Sequence, residues 1–292
     1  MELKYIVKDL SNYTNVRQVL KNEFNMSNRL ITKLKQNKLI LLNGNETFLD
    51  KNLAINDVVS CNLEYSEESE NIVSTKMNLD IIYEDSSFLI VNKPSGIAIH
   101  PSILHYNNSL SNGVKYYFNS IGLNKKIRPV NRLDKDTTGI VVFAKNEYIQ
   151  ECLVKQMQNN KFYKEYIALL TGNLNDATGK IEVPISRKEN SIIERCINPN
   201  GEYALTYYEL IKNYSDFCLV QFILKTGRTH QIRLHSKYIG NPILGDTLYG
   251  THSNLICRQA LHCHKLSFTH PITKKELELV APIPEDIKLL LE

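Results

Sequence analysis

Apolar residues in this chain fall first at helical spacing and then in short blocks. Near the start, Val16, Val19, Leu20 and Phe24 recur three to five positions apart, as on one helix face. A second helical run carries Leu30, Ile31 and Leu34 behind Ser27, a residue suited to an N-cap. Lys38 to Leu42 then reads as a strand closed by the turn pair Asn43-Gly44, and Val58 to Leu63 as a later strand. The stretch YSEESENIVSTK is rich in Ser and Glu and has no apolar period, so it reads as a linker. The expected organisation is a small α+β domain over 1–66, a linker over 67–76 and a larger domain over 77–292.

Beyond the linker the pattern is richer in strands. Candidates are Leu79–Tyr83, Phe88–Asn92, Gly139–Ala144, Tyr166–Leu170, Ala204–Leu210 and Leu219–Leu224. Asn146–Met157 reads as a helix, and Gly227–Ile239 as a second, with Ile232, His235 and Ile239 on one face. Strands outnumber helices without strict β-α-β alternation. The expected class is therefore α+β, built on a mixed, mostly antiparallel sheet.

Composition narrows the function classes. Hydrophobic residues make up 42% and charged residues 23%, so the chain has material for a core and is not a disordered one. Lys and Arg exceed Asp and Glu by 35 to 31, a balance that permits nucleic-acid binding without demanding it. The excess is local: Arg17, Lys21, Arg29, Lys33, Lys35 and Lys38 face only Glu23 over that stretch. Arg29 and Lys33, four apart, share a helix face. The charged start MELKYIVKDL has no signal-peptide core, and no run reaches the length of a membrane span, so a cytoplasmic protein is expected. The six cysteines lack a C-x-x-C pair and read as reduced thiols. Cys257, His262, Cys263 and His264 fit no common zinc spacing, so no metal is expected.

The candidate chemistry centres on Arg128-Pro-Val-Asn-Arg132-Leu-Asp134-Lys-Asp-Thr-Thr-Gly139, a polar loop that runs into an apolar strand. Such loops, fixed by a scaffold strand, commonly carry reacting groups. Asp134 has cationic neighbours in Arg132 and Lys135. No glycine-rich phosphate loop is present, and no nucleotide cofactor is expected.

This loop resembles the H-R-L-D-x-x-T-S-G-L signature of the RluA-type RNA pseudouridine synthases. Three further segments agree in order: Val91-Asn-Lys93-Pro-Ser-Gly96, Lys164-Glu-Tyr166-Ile-Ala, and Thr226-Gly-Arg228-Thr-His-Gln-Ile-Arg233 followed by Gly240 to Asp246. Arg258-Gln-Ala-Leu-His262 and the His270-Pro271 and Ala281–Pro284 segments also match, so the resemblance spans 78–286. Two positions depart from it, Asn131 for the usual His and Thr138 for the usual Ser. Residues 1–66 resemble an S4 RNA-binding domain through the Arg-containing first helix, Ser27, the strand-turn ILLNG and the segment LAINDVV.

The resemblance implies a pseudouridine synthase fold and the isomerisation of uridine to pseudouridine in RNA. It implies Asp134 as the catalytic aspartate, Tyr166 as an active-site ring against the uracil, and Arg233 as the partner of Asp134. Whether the aspartate acts as a nucleophile or through a glycal route stays open. Arg132, Arg228 and Lys93 are expected to contact substrate or RNA, with turn capping the alternative for Lys93. The Arg29/Lys33 face is expected to follow phosphates. The reaction is redox-neutral and calls for no cofactor. Large-subunit ribosomal RNA is the expected substrate and transfer RNA the alternative, with the protein acting as a monomer. A catalytically idle RNA-binding or ribosome-assembly factor is the rival reading.

Overall fold

The computed structural model describes residues 1–67 and 72–292. At the N-terminus, β1 (Glu2–Ile6), β2 (Ile40–Leu42), β3 (Asn45–Glu46) and β4 (Val58–Asn62) form an antiparallel sheet ordered β1-β4-β2-β3. The β2–β3 turn puts Asn43 at φ 52° and Gly44 at φ 82°, the left-handed pair that tight hairpins need. Helix α1 (Val16–Gln18) runs on into a π-turn, and α2 (Asn28–Gln36) follows. Val16, Val19, Leu20, Leu30, Ile31 and Leu34 are all buried, as their spacing predicts.

The larger sheet has nine strands: β5 (Asp80–Glu84), β6 (Phe88–Lys93), β7 (Thr138–Ala144), β8 (Phe162–Thr171), β9 (Thr178–Glu182), β12 (Leu205–Asn213), β13 (Phe217–Leu224), β14 (Leu261–Thr269) and β15 (Glu276–Val280). Their order is β5-β6-β7-β14-β8-β13-β12-β9, with β15 also on β14. Strands β10 (Ile185–Arg187) and β11 (Arg195–Ile197) form a separate pair. Only β7 and β14 run parallel among the described strands; the remaining pairs are antiparallel. The fold is thus α+β on a mixed, mostly antiparallel sheet. Every residue of β7 is buried, which is why its sequence reads as a continuous apolar run. Gly139, at φ 111°, sits where β7 first meets β14; a Cβ there would lie 2.2 Å from the Cys263 carbonyl oxygen.

Helices α3 (Leu110–Ser120), α4 (Glu147–Gln158), α5 (Gln231–Tyr238) and α6 (Glu285–Leu291) complete the domain. Asn146 caps α4 by accepting from the Ile149 amide at 2.9 Å.

The junction between the domains differs from a solvated tether. Residues 68–71 of the expected linker lie outside the described residues, but Glu67 is buried. Its Oε1 accepts from Lys33 Nζ at 2.8 Å and from Arg128 at 2.7 Å. Burial pushes the Glu67 carboxyl up, yet the hydrogen bonds from Arg128 and Lys33 outweigh it and hold the group below its ordinary value. Ser27 caps α2 through the Leu30 amide at 3.1 Å, and its own N–H and hydroxyl donate to Glu151 of α4 at 3.1 and 2.5 Å.

This placement corrects the phosphate-tracking reading for Lys33 only. Lys33 Nζ is already shared between Glu67 and Glu147, each at 2.8 Å. Arg29 keeps most of its side chain in solvent, but its Nε faces Glu147 at 3.3 Å. Lys33 is thus held against α4 and the linker, while Arg29 stays largely in solvent.

Candidate active site

The loop that carries Asp134 lies along a cleft of about 780 Å³. Tyr166 of β8, Arg233 of α5, and Arg132, Arg228 and His230 also line it. Several clamps fix the loop. Lys93 is fully buried, and its Nζ donates to the carbonyls of Pro94, Ile97 and Lys135 at 2.8, 2.9 and 2.7 Å. Arg258 grips Asp286 with two nitrogens at 2.6 and 2.7 Å and reaches the Asp136 carbonyl at 3.3 Å with the third. Asn131 donates to the Ile140 carbonyl at 2.8 Å and accepts from the Val142 amide at 2.9 Å. Its amide therefore serves both a donor and an acceptor of β7, which accounts for an Asn at this position. Thr138 Oγ1 meets His262 Nδ1 at 2.9 Å.

Lys93 is thus a turn cap and cannot meet a phosphate. Burial pushes its amine down to about 7, against the pull of Asp136 and Asp134.

Arg233 does not hold Asp134 in a fork. Its Nε and Nη2 donate to the two oxygens of Asp246 at 2.7 and 2.8 Å, and its Nη1 alone donates to Asp134 Oδ2 at 3.1 Å. Asp246 is fully buried, and its Oδ1 also accepts from the amides of Leu248 and Tyr249 at 3.0 and 3.2 Å. The Arg233 guanidinium lies 5.1 Å from the centre of the Tyr249 ring. Burial disfavours its charge, but the hydrogen bonds and charge of Asp246, and then the charge of Asp134, raise its pKa above the usual value. Asp134 keeps a quarter of its side chain open to the cleft, and its Oδ1 has no hydrogen-bond partner among the described residues.

Tyr166 pairs across the sheet with Phe222 and Cys263 and is 6% exposed. Burial, then the neighbouring Cys263, pushes its hydroxyl well above the ordinary tyrosine value. Its hydroxyl is therefore neutral at pH 7. His230 opens α5 in the left-handed region at φ 59°. Its Nδ1 meets the Tyr249 hydroxyl at 2.8 Å, and its Nε2 lies 3.8 Å from Asp134 Oδ2. His235 is fully buried, held by Thr206 and the Val183 carbonyl, and does not line the cleft. The two histidines therefore form no acid–base pair.

Arg132 is exposed at the cleft wall. Arg228 lines the mouth, with Nε on the Tyr203 carbonyl at 2.9 Å and Nη1 on Glu202 at 2.6 Å. Lys164 stands in a segment that matches the family, yet it is not among the expected site residues. It lines the cleft two residues before Tyr166 and has no carboxylate partner among the described residues. Burial lowers its pKa. No group of three or more His, Cys, Asp or Glu side chains able to hold a metal occurs among the described residues. No helix among them is long and apolar enough to cross a membrane.

A family model described as RNA pseudouridylate synthase matches residues 87–238. The uncharacterized RNA pseudouridine synthase YjbO of Bacillus subtilis is 35% identical over 271 residues, covering 92% of this chain and 96% of the relative. The ribosomal large subunit pseudouridine synthase D of Vibrio parahaemolyticus is 35% identical over 240 residues, covering 77% of this chain and 74% of the relative. Among solved structures, human RNA pseudouridylate synthase domain containing 1 superposes with a TM-score of 0.59 at 26% identity, covering 70% of this chain and 83% of that one.

Proposed function

The chain belongs to the RNA pseudouridylate synthase family and is an RNA pseudouridine synthase, and from that premise we propose that it modifies large-subunit ribosomal RNA with Asp134 as the reacting carboxylate. The observation that carries the second half is the convergence of Asp134, Tyr166 and Arg233 on one cleft. An idle relative would have no need to keep the three together. The ribosomal half is supported by a relative of that stated activity, alignable over three-quarters of both chains.

In the isomerisation the bond between uracil N1 and ribose C1′ breaks, the base turns, C5 bonds to C1′, C5 gives up its proton, and N1 takes one up, so the product is an isomer. The target uridine must first leave its stack, at a cost of a few kcal/mol. Arg132, exposed two residues before Asp134, holds the backbone beside the extruded nucleotide. Tyr166 packs on the uracil from the cleft wall. Arg233 fixes Asp134 Oδ2, which leaves Oδ1 to act on the ribose. Nucleophilic attack and removal of a ribose proton both make that demand of the carboxylate. Arg233 itself is oriented by Asp246, so the electrostatic frame exists before substrate arrives. The 1–66 domain serves as an S4-like RNA grip, through surfaces other than the Lys33 face.

Pseudouridine mapping of total RNA from cells with and without the protein tests this reading. Sites lost from large-subunit ribosomal RNA are expected. Losses confined to transfer RNA would overturn the ribosomal assignment, and no loss anywhere would overturn the function.

A further inference from the structure

Two groups at the start of α5 face Asp134 Oδ2: Arg233 Nη1 at 3.1 Å and His230 Nε2 at 3.8 Å. Both rest on one buried residue that does not itself line the cleft, Tyr249. The Arg233 guanidinium lies over the Tyr249 ring, 5.1 Å from its centre. The His230 ring meets the same ring edge-on, with centroids 5.5 Å apart, and its Nδ1 is 2.8 Å from the hydroxyl. Tyr249 is in turn held at three points. Its amide donates to Asp246 Oδ1 at 3.2 Å, Ile185 and Leu234 pack with it, and its hydroxyl accepts from the Arg195 amide of β11 at 2.8 Å.

These contacts place a proton. A backbone amide can only donate, so the Arg195 contact occupies a lone pair of the Tyr249 oxygen and leaves the phenol proton for His230 Nδ1. Burial pushes the phenol above its ordinary value, so that proton stays on it. Burial, with Arg233 and Arg195 against Asp134, pushes His230 below its ordinary value, so its ring is neutral at pH 7 and carries a single proton. With Nδ1 accepting, that proton sits on Nε2, the nitrogen that faces Asp134. The other tautomer would turn a lone pair towards the carboxylate and disfavour its charge.

We propose that Tyr249 is a positioning residue for the reaction: its ring seats Arg233 and its hydroxyl sets His230 with the proton on Nε2, so that two donors address Asp134 Oδ2 and Oδ1 is kept for the ribose. This rests on the reading of Asp134 as the reacting carboxylate. It assigns His230 a use of its Nε2 proton that involves no proton transfer: the ring steadies a charge already present on Asp134.

The test uses the full-length protein with isotope-labelled histidine and long-range proton–nitrogen NMR spectra near neutral pH. The His230 signals are those lost in His230→Asn, a replacement that also tolerates the left-handed backbone at φ 59°. The wild type should show a protonated Nε2 and an unprotonated, hydrogen-bonded Nδ1. Tyr249→Phe keeps the ring under Arg233 and removes the bond to Nδ1, so the Nδ1 resonance should move to that of a free imine nitrogen. Its kcat on a defined RNA should fall roughly tenfold with KM near wild type, and Tyr249→Leu, which also removes the seat of Arg233, should lose about 10²-fold. Tyr249→Phe decides alone if Tyr249→Leu does not fold. A wild-type proton on Nδ1 would overturn the proposal, as would an unmoved Nδ1 resonance or an unchanged kcat in Tyr249→Phe. The NMR reading needs no turnover, and the role of Asp134 is read separately from Asp134→Asn on the same RNA, so failure of this inference and failure of the reading beneath it are distinguishable.

Discussion

Arg233 and Asp246 are joined by two hydrogen bonds, at 2.7 and 2.8 Å, and only the remaining Nη1 of Arg233 reaches Asp134, at 3.1 Å. The arginine is therefore anchored from behind. Asp134 receives one bond from a group that cannot swing away.

Asp246→Asn should break this anchor. An amide can accept at one edge of the fork but presents N–H against the other. A displacement of about 1 Å at a positioning group can cost on the order of 10²-fold in rate. The loss is expected in kcat, with KM for RNA near wild type, because Asp246 is fully buried and touches no substrate. Steady-state kinetics on a defined RNA checks it; a change confined to KM would remove the positioning role. Arg233→Lys should be nearly as impaired as Arg233→Ala, since an ammonium cannot serve both carboxylates in one plane.

Asp134→Asn keeps size and removes the charge that acts on the ribose. The single-turnover rate should fall on the order of 10⁴-fold or more. Filter binding should show affinity near wild type, because phosphate contacts dominate it. Activity within tenfold of wild type would end the assignment of Asp134.

Tyr166→Phe keeps the ring proposed to pack on the uracil and removes a hydroxyl that burial holds neutral. Base extrusion should persist, read as a fluorescence rise from 2-aminopurine beside the target, while product forms more slowly. Because no ionised phenolate is involved, the pH–rate profile of the variant should keep the wild-type shape. A profile that loses an alkaline limb would show that Tyr166 titrates.

Acid stability should depend on two buried histidines. Burial lowers His235 and His262 to about 4 each. Their unfolded value is about 6.5, so between 4 and 6.5 the unfolded chain binds more protons than the folded one. Their contribution is fully present above pH 6.5 and is lost as pH falls towards 4, at about 3 kcal/mol for each. Urea midpoints at pH 7.5, 5.5 and 4.5 should fall across that window. His262→Asn should flatten the dependence even if it lowers the plateau, since Asn does not titrate. An unchanged slope in that variant would show that His262 is not a source of the acid sensitivity.

The features legible in the sequence were the local ones. The Asp134 loop, the Tyr166 strand and the α4 helix each follow from residues adjacent in the chain, and α4 starts within one residue of the expected place. Helix α5 starts later than its apolar spacing suggests, because the side chain of Gln231 accepts from Thr226 and the Arg228 amide and holds that stretch as a turn. Long-range pairings were not legible. Lys33 meets Glu147 across 114 residues, and nothing in a basic helix face announces that a carboxylate will cover it. For Lys93 the sequence left phosphate contact and turn capping open, because it could not show that three carbonyls would close around it. Asp246 stood in a recognised segment, but its bond to Arg233 exists only once α5 folds back over the turn that follows it.

The junction around Glu67 has a metrical consequence. Lys33, Arg128, Ser27 and Glu151 join the 1–66 domain to the Asp134 domain by ion pairs and hydrogen bonds rather than a slack tether. Whatever the first domain holds is held at a set distance and bearing from Asp134. Under the proposed RNA grip the molecule would work as a caliper: an RNA would fit only if its own folding separated the gripped element from the uridine by that span. Selection among many chemically identical uridines would then be a matter of measured length, and a change at Lys33 would alter which uridine lies under the jaw without touching the jaw itself.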